Sequence, residues 1–173
     1  MLDEKLVAML NDQINLEFYS SNLYLQMSSW CELKALEGCA GFLKAHADEE
    51  ISHMHRLFRY VNDTGSMAVL GAIQAPPSDY GSIDELFQAT YEHERHVTEK
   101  INQLAHAAFS QQDFSTFNFL QWYVAEQHEE EKLFKTILDK VELVGTTGSA
   151  LFFFDREIAE LAKAAQASGE APA

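Results

Sequence analysis

The stretch EQHEEEKLF, Glu126 to Phe134, decides how this chain folds, because it puts four glutamates into six positions of an otherwise apolar helix. Residues spaced by three and four around it form one inward stripe: Leu120, Tyr123, Gln127, Glu130, Phe134, Ile137 and Val141. The stripe is apolar at both ends and polar in the middle. Ionised carboxylates are rarely left inside a helical bundle without a compensating partner. The helix therefore predicts a polar site in the protein interior.

Three further helical segments carry stripes that are interrupted in the same way. When the four helices are stacked side by side, their polar midpoints meet at one level, which brings together Glu17, Glu50, His53, Glu94, Gln127 and Glu130. Carboxylates gathered without a compensating charge repel one another and resist ionisation. Oxygen ligands with one imidazole suit a hard or intermediate divalent metal, and bridging carboxylates suit two. The pattern predicts a metal pair, with a metal-free polar core as the alternative.

Helical periodicity gives four long helices over residues 3–34, 36–62, 83–109 and 114–144, and a shorter one over 149–165. Two connections are short and predict antiparallel neighbours. The connection with Pro76 and Pro77 is long: some 16 extended residues reach about 50 Å, whereas a helix of about 27 residues is about 40 Å long. It can therefore start the third helix parallel to the second. The predicted fold is all-α: a ferritin-like four-helix bundle with a long crossover between the second and third helices and a short fifth helix. The expected division is one domain over residues 1–165 and a flexible tail over 166–173.

The composition excludes several classes of protein. The net charge is −15, from 27 acidic and 12 basic residues, and such a surface repels nucleic acid and anionic membranes. No apolar run is long enough to span a membrane, and no signal peptide is recognisable, so we expect a cytoplasmic protein. Cys31 and Cys39 have neither the number nor the spacing of a disulfide framework, and we expect buried thiols.

The sequence closely resembles the bacterial non-haem ferritins over almost the whole chain. The matching stretches carry the interior polar residues: NLEFYSSNLYLQMSSWC at 15–31, HADEEISHMHRLF at 46–58, ATYEHERH at 89–96 and NFLQWYVAEQHEEEKLF at 118–134. The resemblance implies a homo-oligomeric hollow shell of 24 subunits, each with a di-iron ferroxidase centre inside its bundle. It implies iron storage and detoxification: Fe(II) is oxidised by dioxygen or hydrogen peroxide, and ferric oxyhydroxide is deposited in the shell.

The resemblance also implies a role for each matching residue. Glu17, Glu50 and His53 match the first iron site, with Glu50 bridging to the second. The second site and its neighbour are matched by Glu94, Glu130 and Gln127, and a third iron site by Glu49, Glu126 and Glu129. No haem is expected, because Ile51 follows Glu50 where the haem-binding bacterioferritins place a methionine.

Some residues near the expected centre have a less defined role. Tyr24 lies two turns from Glu17 and could donate an electron, although a packed aromatic with a bonded hydroxyl is equally open. His46 and five further histidines are expected to be surface or core residues. We expect the run Phe152 to Phe154 to bury the short last helix.

Two other functions are compatible with such a bundle. A di-iron oxygenase or peroxidase is disfavoured, because Gln127-x-x-Glu130 stands where many di-iron bundles carry a second Glu-x-x-His and because no CxxC pair is present. A DNA-protecting mini-ferritin is disfavoured, because the C-terminal residues ASGEAPA contain no lysine or arginine and the segment 149–165 reads as a fifth helix.

Overall fold

The structure is a computed structural model that describes residues 2–167, with side chains to residue 164. Its helices are α1 (Glu4–Leu33), α2 (Glu37–Asp63), α3 (Ile83–Ser110), α4 (Phe114–Val144) and α5 (Ser149–Ala167). The described range contains no strand, so the all-α prediction is confirmed, and the predicted bounds agree to within two residues. Residues 168–173, most of the predicted tail, lie outside the described residues. Within the described range, no helix has the length and apolar character that crossing a membrane requires.

Local sequence signals fix where the helices begin and turn. The side chains of Asp3, Ser82 and Asp113 accept hydrogen bonds from backbone amides in the first turns of α1, α3 and α4. Ala35 and Gln112 take up left-handed backbone conformations, with φ of 58° and 59°, in the two short turns. Each turn thus reverses the chain within a few residues, which makes α1 antiparallel to α2 and α3 antiparallel to α4.

The long connection between α2 and α3 runs along α1. Near its start, the Asn15 side chain donates to the carbonyl oxygen of Val69 (3.0 Å) and accepts from the amide of Gly71 (2.7 Å). Near its end, the Trp30 indole donates to Asp79 (3.2 Å). Asn15 and Trp30 are about four helical turns apart on α1. The connection therefore travels toward the other end of the bundle, as predicted, and α3 begins parallel to α2.

The bundle core has two apolar halves with a polar layer between them. Phe42 and Phe134 belong to one half, and Leu57 and Leu120 to the other, all of them at most 1% exposed. Burying a side chain of this size stabilises the fold by about 1.5–3 kcal/mol. The polar side chains of the four stripes lie between these halves, so the apolar packing holds them in place.

Helix α5 packs across the start of α2. Phe154 and Ile158 are buried against the core, and the Asp155 carboxylate accepts hydrogen bonds from the backbone amides of Gly38 (3.0 Å) and Cys39 (2.8 Å). An acidic side chain is favourable at the N-terminus of a helix. Helix α5 thus supplies the cap that α2 lacks, since Leu36 at the N-cap position makes no side-chain hydrogen bond.

The expectation that Phe152 to Phe154 all bury the last helix was wrong for two of the three residues. Phe154 is 1% exposed, whereas Phe152 is 62% and Phe153 is 60% exposed. Successive residues of an α-helix point about 100° apart. Three consecutive aromatic side chains therefore cannot share one buried face.

The close approach of α5 to Gly38 gives a test of this docking. A Cβ atom at Gly38 would lie 2.0 Å from the carbonyl oxygen of Asp155, so Gly38→Ala must displace α5. We expect hydrogen exchange of the α5 amides to become at least about tenfold faster. This corresponds to a free energy of local opening that is lower by about 1.4 kcal/mol or more. Gly41→Ala is the matched control, because nothing lies within 4 Å of its added Cβ. It should leave α5 unchanged; equal exchange in both variants would contradict this account of the docking.

Candidate metal centre

The polar layer takes side chains from all four long helices. The structure places the six predicted interior residues there, each at most 5% exposed: Glu17 from α1, Glu50 and His53 from α2, Glu94 from α3, and Gln127 and Glu130 from α4. Each lies on its helix's apolar stripe, so it is buried by the packing of its neighbours one turn before and after. The six residues that the sequence places on four separate stripes therefore form one cluster in the structure.

One side of the cluster has the geometry of a cation site. Glu17, Glu50 and His53 each offer one donor atom, and these atoms lie within 4.8 Å of one another. His53 Nδ1 is 3.3 Å from Glu50 Oε2. Two ligands of one ion with bonds of about 2.1 Å are about 3.0–4.2 Å apart, depending on the angle between them. Small side-chain adjustments would bring all three donors onto one ion.

Gln13 is a residue of this site that the sequence interpretation missed. Its amide donates to Glu17 Oε1 (2.9 Å), while Glu17 Oε2 has no hydrogen-bond partner among the side chains that the structure describes. The amide thus fixes the carboxylate and leaves its second oxygen available inside the bundle. The signal was the spacing of four residues between Gln13 and Glu17, which puts both on the same face of α1.

Glu94 is held by neutral donors on both oxygens. The Tyr24 hydroxyl donates to its Oε1, and the Gln127 amide donates to its Oε2 (3.0 Å). The same amide nitrogen is 3.4 Å from Thr98 Oγ1, at the limit of a hydrogen bond. Gln127 therefore acts on Glu94 as a hydrogen-bond donor, a role that an imidazole with one N–H could fill only in the matching tautomer.

Burial makes the ionised form of every carboxyl in the layer unfavourable. Desolvation raises the pKa of Glu17 to about 7 and the pKa of Glu50 and of Glu130 well above the ordinary value, and repulsion from neighbouring carboxylates, chiefly Glu94, adds to it. Burial also lowers the pKa of His53 to about 4, which keeps the imidazole neutral. No lysine or arginine is fully buried among the described residues. The layer therefore holds protons when it holds no cation.

The residues predicted for a third site line a groove between α2 and α4. Glu49, Glu126 and Glu129 all face this groove, whose volume is about 810 Å³. Donor atoms of Glu49, Glu126 and His53 come within 4.8 Å of one another, whereas Glu129 is exposed and belongs to no such group within residues 2–164. The structure thus brings two of the three glutamates together at the edge of the buried layer.

His46 lies closer to the centre than its sequence assignment indicated. It was expected to be a surface or core histidine, and it is buried, with its Nε2 3.7 Å from Glu130 Oε2. The signal was present in the α2 stripe, where His46 precedes Glu50 by one turn. Trp122 lies beside the site on its outer side, with the centre of its ring 5.2 Å from the centre of the His53 ring.

Several known proteins are similar to this chain in sequence and in fold. A family model described as a ferritin-like domain matches residues 7–144. A probable bacterial non-heme ferritin-like protein of Haemophilus influenzae is 56% identical over 161 residues, which are 93% of this chain and 98% of that protein. A bacterial non-heme ferritin of Escherichia coli is 55% identical over the same shares. The solved structure of an open pore ferritin from Archaeoglobus fulgidus superposes with a TM-score of 0.89 at 41% identity, covering 92% of this chain and 98% of that one.

The raised pKa of Glu17 predicts how the metal-free protein responds to pH. An unfolded glutamate releases its proton near 4.5 and the folded one at about 7, so its contribution to stability is present below 4.5 and lost as pH rises to 7. The loss is about 3 kcal/mol at about 1.4 kcal/mol per pKa unit. With a chelator present, Glu17→Gln should therefore become more stable than wild type above pH 7 in calorimetric melts.

The difference between variant and wild type isolates Glu17 from the histidines, whose lowered pKa values act in the opposite direction. Glu99→Gln, on the exposed face of α3, is the control for removing a carboxyl outside the buried layer. A Glu17→Gln variant that is destabilised equally at every pH would contradict the assignment of a buried, proton-holding carboxyl.

Proposed function

The chain belongs to the ferritin family, and from that premise we propose that it stores and detoxifies iron by oxidising Fe(II) at the buried centre. Iron is substrate and cargo in this proposal: the oxidised ion leaves the centre, and ferric oxyhydroxide collects in a hollow shell of 24 identical subunits. The observation that carries the proposal is the meeting of four buried carboxylates and one neutral imidazole, from four helices, in a layer without a buried cationic side chain. Exposed apolar side chains such as Leu33 (82%) and Leu143 (85%) are consistent with further burial in an assembly.

We propose that this donor set provides two neighbouring positions for ferrous ions. Glu17, Glu50 and His53 would hold the first ion, Glu94 and Glu130 the second, and Glu50 would bridge them. Because the carboxyl groups hold protons in the absence of metal, binding releases protons as the ligands ionise. Anionic oxygen ligands favour the ferric over the ferrous ion, which promotes the loss of electrons to the oxidant.

The oxidation balances with one dioxygen for each pair of ferrous ions. Each ion gives one electron, and dioxygen takes up both electrons and two protons to form hydrogen peroxide, which can itself oxidise a further pair. The role of the protein is to hold the two ions at adjacent positions, so that the oxidant meets both at once. The buried layer also keeps bulk water away from the reacting ions.

The presence of Gln127 favours a storage function, in which iron leaves after oxidation, over a function that needs a tightly held metal cofactor. It stands where a second imidazole would strengthen the second metal position, and its amide instead donates to Glu94. A position with fewer donors holds its ion less tightly, which favours release after oxidation. We propose that Glu49, Glu126 and Glu129 receive iron in the groove between α2 and α4, on the way between this centre and the mineral.

Removing the first ion's ligands gives the direct test. In the double variant Glu50→Gln with His53→Gln, the first position loses its bridging carboxylate and its imidazole. The measurement is the initial rate at which ferric absorbance rises when air is admitted to protein loaded anaerobically with Fe(II). We expect this rate to fall at least about 100-fold. His55→Gln, on the exposed face of the same helix, is the control.

Particle size measured in the same experiment tests the storage part of the proposal. An unchanged rate in the double variant would show that the ligand set is wrong. Turnover of an organic substrate without formation of a mineral core in the wild-type protein would contradict storage.

Tyr24 has two proposed roles, which one variant separates. Its hydroxyl holds Glu94 in place, and its ring could give an electron when too few ferrous ions are present. Tyr24→Phe keeps the buried ring and removes the hydroxyl, so the affinity of the second metal position should fall about tenfold. Freeze-quenched electron paramagnetic resonance should show a tyrosyl radical in wild type but not in the variant. Absence of the radical in wild type would leave Tyr24 as a positioning residue only.

A further inference from the structure

The His46 side chain is fixed in one orientation. Its ring packs against Phe42, with ring centres 4.2 Å apart, and against Phe134, with ring centres 5.4 Å apart. Its Nδ1 is 3.1 Å from the carbonyl oxygen of Phe42. A carbonyl oxygen can only accept a hydrogen bond, so Nδ1 carries the hydrogen of the neutral ring and Nε2 carries a lone pair.

The Nε2 atom lies close to a buried oxygen that has no hydrogen bond within the described part of the chain. Nε2 is 3.7 Å from Glu130 Oε2, for which residues 2–164 provide no hydrogen-bond partner although the side chain is only 7% exposed. A proton shared between the two atoms would bring them to about 2.7–3.2 Å. Two donors of one tetrahedral cation with bonds of about 2.1 Å lie about 3.4 Å apart. The spacing is therefore too long for a hydrogen bond and suits an ion held between the two side chains.

Glu49 completes a set of three donors. One carboxylate oxygen of Glu49 lies with a ring nitrogen of His46 and a Glu130 oxygen in a group whose members are within 4.8 Å of one another. Glu49 is half-buried at the groove between α2 and α4, whereas Glu130 belongs to the buried layer. The two carboxylates neutralise the charge of a divalent cation, and the imidazole adds a neutral donor. Three protein ligands leave further coordination positions for water on the groove side.

We propose that His46 is the nitrogen ligand of a further divalent-cation site, formed with Glu49 and Glu130, at the junction of the buried layer and the groove. A neutral imidazole favours an intermediate divalent ion over a hard trivalent one, in contrast to the all-carboxylate set of Glu49, Glu126 and Glu129. The site would thus hold iron in its ferrous form beside the centre. The identity of iron rests on the proposed function, but the binding of a divalent cation does not.

Redox-inert metal ions test the site without any oxidation. Crystals of the wild-type protein soaked in Zn²⁺ should show an anomalous peak about 2.0–2.1 Å from His46 Nε2. In solution, the metal-free assembled protein is titrated with Co²⁺. Wild type should bind one more ion per subunit than His46→Phe, or should bind that ion with an affinity at least about tenfold higher than the variant does. Phenylalanine suits the space between Phe42 and Phe134, and His55→Phe is the control for loss of an exposed histidine on α2.

Each result supports or overturns the inference. A zinc peak at His46 together with the loss of one cobalt ion in His46→Phe supports it. A zinc peak held by Glu49, Glu126 and Glu129 with none at His46, or equal cobalt binding in both proteins, overturns it. The wild-type crystal decides the question even if the variant does not fold. Slow iron oxidation by wild type would count against the proposed function alone, because zinc and cobalt binding do not depend on it.

Discussion

The mutual repulsion of carboxylates buried in one layer is the constraint on which the rest of the structure depends. Glu17, Glu50, Glu94 and Glu130 come from four different helices, so no single helix can relieve the crowding by bending away. Apolar packing above and below the layer holds all four helices in register. The fold therefore keeps an unfavourable arrangement of charge that protons or cations must compensate.

The same constraint connects the chemistry to the fold. Hydrogen bonds from Gln13, Tyr24 and Gln127 orient the carboxylates through neutral donors, which fix geometry without adding positive charge. The layer thus remains open to cations, whereas a lysine or arginine in its place would have occupied the site permanently. In the proposed function, exchange of protons for metal ions would make uptake dependent on pH. The second proposed metal position, with Gln127 instead of an imidazole, would have fewer donors, in keeping with the proposed release of the oxidised ion.

The sequence predicted the fold and the interior residues well where the helical period was unbroken. Every residue of the α4 stripe, from Leu120 to Val141, is buried, and the helix bounds agree because Ser82 and Asp113 are ordinary N-cap residues. The end of α5 differs by two residues, since the alanines near 165 contain no stop signal. The prediction for Phe152 and Phe153 was wrong, because consecutive residues of a helix point in different directions and cannot all lie on one buried face.

The environment of His46 could not be read from α2 alone. Its position one turn before Glu50 is compatible with burial, but whether its Nε2 met an aromatic ring or a carboxylate depended on the register of α4 against α2. Gln13 was missed for a different reason: its contact with Glu17 lies within α1 and follows from their spacing of four residues, but the irregular stripe of α1 obscured it. Contacts within one helix follow from spacing, whereas contacts between helices need the three-dimensional arrangement.

The most direct test is anomalous diffraction at the iron edge, from crystals of the assembled protein soaked with ferrous salt under anaerobic conditions. We expect two strong peaks inside each bundle, one between Glu17 and His53 and one beside Glu94 and Glu130, with Glu50 between them. Empty density at these positions, with the carboxyl groups turned away or hydrogen-bonded to one another as protonated pairs, would contradict the account.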